Sequence, residues 1–174
     1  MKKILAVLLS AVVVFGLAAC GSSEAETTGA SSTGASSKYV FTAKGTTIAM
    51  NAPAADIIAA LGEPTSYFES ESCAFKGLDK QYTYGSFIIY TYPKDDVDYI
   101  NEVDIADDSV TTPEGIAIGA TLDQVKAAYG EPTGTVGSAG YQYVDGDCTL
   151  LFVFDEETGT TLQSISYTAD TGLK

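Results

Sequence analysis

The amino-acid sequence predicts an α+β fold of two tandem repeats. Each repeat is a short helical element followed by an antiparallel β-meander, with the helices packed on one sheet face. Three observations predict it. Ala55–Thr65 is echoed by Asp123–Thr133 at an offset of 68, including Gly62-Glu63-Pro64 against Gly130-Glu131-Pro132. Ile88–Tyr92 and Ile100–Ile105 are echoed by Leu150–Phe154 and Leu162–Tyr167 at an offset of 62. The echoed blocks keep their order, which marks an internal repeat, and each copy switches from a spacing of four to alternation.

The chain begins with a segment that does not belong to the fold. Lys2 and Lys3 precede an apolar run from Ile4 to Phe15, the pattern of an export signal. Leu17-Ala18-Ala19-Cys20 follows, and it resembles the lipobox of bacterial lipoproteins. That resemblance implies cleavage after residue 19 and a diacylglyceryl thioether on Cys20, whose sulfur is the required nucleophile. Two acyl chains suffice for lasting anchorage, at about 0.8 kcal/mol per buried CH₂. Residues 20–38 then contain Gly, Ser, Thr and Ala but no aromatic. Such a segment cannot bury enough surface to offset its ordering entropy. It reads as a tether with a span of about 23 Å. The expected organisation is therefore a signal peptide over 1–19, a lipidated Cys and tether over 20–38, a first repeat over 39–111 and a second over 112–174.

Within each repeat the helix comes first. Ile57 and Leu61 are four apart, as are Val125 and Tyr129, so each pair lies on one helical face. Thr121 and Gln124 have capping-box spacing. Pro53 suits a helix start. Gly62 and Gly130 suit helix ends, and the prolines two residues later block continuation. The Gly-Glu-Pro motif thus reads as a helix stop rather than a catalytic element. Strands follow. Tyr99, Val103 and Ile105 alternate with Glu102 and Asp104. Ile88, Tyr90 and Tyr92 are read as one inward face, in parallel with Leu150, Phe152 and Phe154. Tyr82-Thr83-Tyr84 pairs with Tyr141-Gln142-Tyr143, and the first copy carries six extra residues between Pro64 and Ile88.

A short helix, Gly-x-Pro and a meander with a Tyr-x-Tyr strand, repeated in tandem, resembles the β-lactamase inhibitor protein fold. Single units of this kind occur in outer-membrane assembly lipoproteins of the SmpA/OmlA (BamE) type. The sequence is also similar to lipoproteins of Gram-positive gut bacteria through Ser72–Lys80 and Thr112–Gly119. These resemblances imply binding rather than catalysis, and fold alone does not fix a partner.

Composition narrows the function. The 174 residues carry 9 Lys and no Arg against 23 acids, a net charge of −14. That balance disfavours nucleic acid, which needs clustered cations. Loss of residues 1–19 removes two lysines and no acid, leaving seven lysines against 23 acids, so lipid rather than charge would hold the chain at a membrane. No histidine is present, which removes His-based triads and metal sites. Neither Ser-x-x-Lys nor Gly-x-Ser-x-Gly occurs. No cofactor or metal is expected. Cys73 and Cys148, outside the cytoplasm, are candidates for a disulfide, against two separate small residues.

The eleven tyrosines are the main functional lead. Tyr82, Tyr84, Tyr141 and Tyr143 would line an exposed sheet face suited to protein recognition, against the alternative of a half-buried strand pair. The expectation is a membrane-anchored extracytoplasmic lipoprotein acting as a non-enzymatic protein-binding module through its exposed sheet face. A scaffolding subunit of an envelope complex, or a hydrolase using paired carboxylates, are the alternatives.

Overall fold

The structure is a computed structural model that describes residues 37–172. Cys20, the export signal and most of the tether lie outside those residues. A ribbon opens the fold: β1 (Phe41–Ala43) pairs antiparallel with β2 (Thr46–Ile48). Lys44 and Gly45 turn between them with φ of 50° and 77°, which matches the twist of a two-residue hairpin. Then come α1 (Ala54–Leu61), β3 (Ser66–Glu71), β4 (Leu78–Thr83), β5 (Phe87–Lys94) and β6 (Val97–Ile105). The same succession of one helix and four strands recurs as α2 (Leu122–Tyr129), β7 (Gly134–Val136), β8 (Gly140–Asp145), β9 (Cys148–Phe154) and β10 (Leu162–Ala169).

The eight later strands form one antiparallel sheet in the order β3-β4-β5-β6-β10-β9-β8-β7. Two meanders therefore meet at the β6–β10 pair, where Ile105 faces Ile165 and Val103 faces Tyr167. The halves share small details. Thr65 and Thr133 each give both backbone N–H and Oγ1 to the carbonyl of the strand opposite, at Thr83 and Gln142. A bulge interrupts β5–β6 between Tyr90 and Thr91, and another interrupts β9–β10 between Leu162 and Ser164. The registers leave Asn101 and Gln163 as the extra residues, 62 apart.

The expected α+β layering is overturned. Among the described residues the protein is sheet-rich, with eight strands in one sheet, a two-stranded ribbon, and two helices of eight residues each. The helices are too short to cover such a sheet. α1 buries Ala54, Ile57 and Leu61, while α2 buries Val125 alone. Much of the remaining cover comes from residues 39–52, to which the sequence reading assigned no element. Phe41 packs on Phe87 at 5.3 Å and on Tyr167 at 5.9 Å, and Ile48 and Met50 are fully buried beside it. Each such side chain contributes roughly 2–3 kcal/mol of burial. Asn51 fastens this segment down: its amide donates to Asp147 and to the Asp170 carbonyl, and it accepts from the Tyr92 hydroxyl.

The expected inward face of β5 also needs correction. Phe87 and Ile89 point into the core, and Ile88 and Tyr90 point away from it. Ile89 sits opposite Val103 on β6, as Phe152 sits opposite Ile165 on β10, so β5 and β9 correspond at an offset of 63 rather than 62. A slip of one residue reverses every side chain in a strand. Tyr92, beyond the bulge, is buried between Phe75 and Tyr99.

Candidate functional site

The ribbon and the helices cover one face of the sheet, and among the described residues no helix or ribbon covers the opposite face. Strand alternation puts defined residues there. One cross-strand row runs across seven strands: Phe68, Gln81, Tyr90, Glu102, Thr168, Thr149 and Val144 are successive partners. Its two ends are exposed apolar side chains, Phe68 at 61% and Val144 at 45%. Its middle is acidic. Phe68, Ser70, Gln81, Tyr90, Asn101 and Glu102 line a trough of about 270 Å³ over the first four strands.

Glu102 and Asp104 are two apart on β6 and point to the same side, close enough to interact directly. Partial burial raises both carboxyls, and Asp104 pushes Glu102 further, up to about 7. Tyr90 stands opposite Glu102, and its hydroxyl is also shifted up, first by burial and then by the charges of Asp104 and Glu102. Lys80 borders the trough, but alternation turns its side chain to the other face, where Asp98 holds it at 2.6 Å. At the corresponding positions of the second half stand Ser164 and Ser166. The sheet therefore does not require acids there, and half-buried like charges cost stability. Such groups are characteristic of sites that meet a ligand.

A larger cavity of about 400 Å³ opens on the other face, between α1 and the β5–β6 turn. Ala54, Ala55, Ile58, Tyr82 and Val97 line it with Asp96 and Asp98. Asp98 is already neutralised by Lys80. The trough rather than this cavity brings titratable groups together without a countercharge, and it is the candidate site.

The four tyrosines expected on the exposed face lie on the core side. Tyr84 is buried and stacks on Phe87 at 5.1 Å. Tyr143 is buried and donates to the Gly130 carbonyl at 3.1 Å, closing the end of α2. Tyr82 is half-buried against Tyr67 at 5.1 Å, and Tyr141 is half-buried against Phe154 at 5.6 Å. Tyr-x-Tyr alternation correctly gives each pair a common side, but alternation cannot say which side is covered. The residues that the sequence reading missed are Phe68 and Tyr90. Glu102 and Asp104 were legible as a pair on one face, without a reason to single them out.

Cys73 and Cys148 are both free. Cys148 points into the core with Leu150 and Phe152, and burial pushes its thiol up to about 12. Cys73 is exposed in the β3–β4 connection at the rim of the sheet. The disulfide fails because one sulfur lies inside the core and the other outside it. Among the described residues, no three acids or cysteines converge as a metal would require, and no helix is long and apolar enough to cross a membrane.

Comparison with protein-family models, curated proteins and solved structures finds no match.

Proposed function

We infer that the protein is a lipid-anchored extracytoplasmic lipoprotein and a non-enzymatic protein-binding module that uses the open face of its sheet. One observation carries the binding reading: among the described residues no helix or ribbon covers one face of the eight-stranded sheet, and a row across it has exposed apolar side chains at both ends and an acid pair in its middle. Rigid strands hold these groups without further ordering cost, which favours recognition. The anchoring reading rests on Leu17–Cys20 and the tether. Residues 39–111 and 112–174 are read as copies of one unit, on the strength of the shared threonine hydrogen bonds and the two bulges 62 apart.

The acid pair favours one rival, carboxylate-based hydrolysis. Glycosidases set their two carboxyls about 5–10 Å apart, flanking the scissile bond. Glu102 and Asp104 project side by side from one strand, so they do not face each other across a cleft as that chemistry requires.

The test is a pull-down of envelope proteins with the full chain, repeated with Tyr90→Ala and Leu151→Arg on the open face and with Tyr141→Ala on the core face. The reading expects specific capture that both open-face variants lose. Equal capture by all variants would remove the open face from consideration. Metabolic labelling with palmitate tests the anchor: label on the wild type and none on Cys20→Ser is expected.

A further inference from the structure

The two edges of the sheet are not alike. β7 spans three residues and ends in a tight turn. β3 spans six, Ser66–Glu71, and every one of them is exposed. The difference comes from hairpin length. Thr65 to Thr83 spans 18 positions, whereas the matching Thr133 to Gln142 spans nine. The longer hairpin carries β3 clear of α1 and of the ribbon. Edge strands are normally blunted by shortness, proline, charged side chains (lysine above all), a bulge or a covering element. β3 contains no proline and no lysine, pairs with β4 without a bulge, and among the described residues has no strand on its outer side; its only charges, Glu69 and Glu71, repel acidic strands but not basic ones.

The phase of its free main chain follows from one hydrogen bond. Ser72 donates to Gly77 at 3.0 Å, so residues of the same parity, Phe68 and Ser70, turn their N–H and C=O groups toward β4. Tyr67, Glu69 and Glu71 turn theirs outward. An added strand would bond to these three and set its own side chains directly opposite theirs. Two of the three are carboxylates, and among the described residues neither is in an ion pair. Lys80, across from Glu69, is taken by Asp98. The Tyr67 hydroxyl donates to Glu69 and keeps that carboxylate on the strand.

We propose that the β3 edge is a strand-addition site for an extended basic segment of a partner protein, with cationic side chains two apart opposite Glu69 and Glu71 and an apolar one opposite Phe68. Charge complementarity selects this occupant. A second copy of the chain would bring its own −14 against the edge, and one register would set Glu69 against Glu69. The inference shares Phe68 with the open-face reading but does not rest on it, since main-chain groups and the two carboxylates at the rim carry it.

The probe is a short synthetic peptide in which lysine alternates with valine, compared with the same peptide N-methylated at every second residue and with a glutamate–valine counterpart. Binding is followed by fluorescence anisotropy and by amide hydrogen exchange on the full chain. Protection should appear at the amides of Tyr67, Glu69 and Glu71, while Phe68 and Ser70, already bonded to β4, change little. N-methylation should weaken binding at least about tenfold. Glu69→Lys with Glu71→Lys should weaken the lysine peptide by about tenfold and admit the glutamate peptide. Both sites are exposed, so the variant should fold, which its exchange pattern in the core verifies. Tyr90→Ala should leave peptide affinity unchanged, which separates this result from failure of the open-face reading. No binding of the lysine peptide, equal binding of the N-methylated peptide, or concentration-dependent protection of the same amides without peptide would each overturn the proposal.

Discussion

At the scale of single residues, two tyrosines in matching positions have different obligations. The Tyr143 hydroxyl closes α2 through the Gly130 carbonyl, whereas the Tyr84 hydroxyl is buried and finds no partner among the described residues. Removing a satisfied hydroxyl costs about 1 kcal/mol, and removing an unsatisfied one costs nothing. Urea titration should therefore place Tyr143→Phe about 1 kcal/mol below the wild type and Tyr84→Phe level with it or above. Glu102 makes a prediction in pH. Its ordinary value is 4.5 and its folded value about 7. Between these values the folded chain keeps a proton that the unfolded chain has released. The group therefore costs nothing below about pH 4.5, and its penalty grows as pH rises to about 7. Asp104, shifted the same way, adds to it, and Tyr90, Ser166 and Thr168, which face the pair from the neighbouring strands, supply no countercharge. With allowance for partial exposure, Glu102→Gln should gain about 1 kcal/mol at pH 8 and almost nothing at pH 4.5. Melting curves at the two pH values check this, and an equal gain at both would contradict it.

At the scale of elements, the helices were the most legible. The Thr121–Gln124 capping box forms in full, with Thr121 N–H to Gln124 at 2.8 Å and Gln124 N–H to Thr121 at 3.3 Å. Gly62 and Gly130, at φ of 78° and 81°, end the helices. Thr121→Ala should cost about 1 kcal/mol by thermal unfolding. α1 has no side-chain bond at Pro53, so Pro53→Ala should cost less. Strand faces were read less well, and the reason is local. Phe87, Ile88, Ile89 and Tyr90 are all apolar or aromatic, so period two has no contrast to lock onto in β5. The bulge that leaves Asn101 unpaired then reverses the phase, and no sequence signal marks it. Glu102–Ile105, with acids alternating against apolar residues, was assigned correctly for the opposite reason, whereas Tyr99, before the bulge, lies on the face opposite to Val103 and not with it as expected. The ribbon over 41–48 was missed because its strands are three residues long, below the length at which alternation can be recognised.

At the scale of the molecule, two meanders share one sheet through β6 and β10, and the asymmetric parts all fall on the first half. The longer hairpin, the trough, the exposed Phe68 and the acid pair belong to β3–β6, while the second half answers with a short edge strand and with Ser164 and Ser166. On the proposed function, the first half would carry most of the recognition groups, with Val144 at the far end of the row. The sequence could suggest the duplication, but the open face depends on what covers the sheet, which only the course of residues 39–52 decides. The most direct measurement is site-specific photocrosslinking on intact cells, with the crosslinker at Tyr90 on the open face, at Glu156 in the β9–β10 loop, or at Glu63 after α1. The account predicts a discrete protein adduct from Tyr90 that Glu156 and Glu63 do not give. Adducts from the loop or the helix end with none from Tyr90 would contradict it.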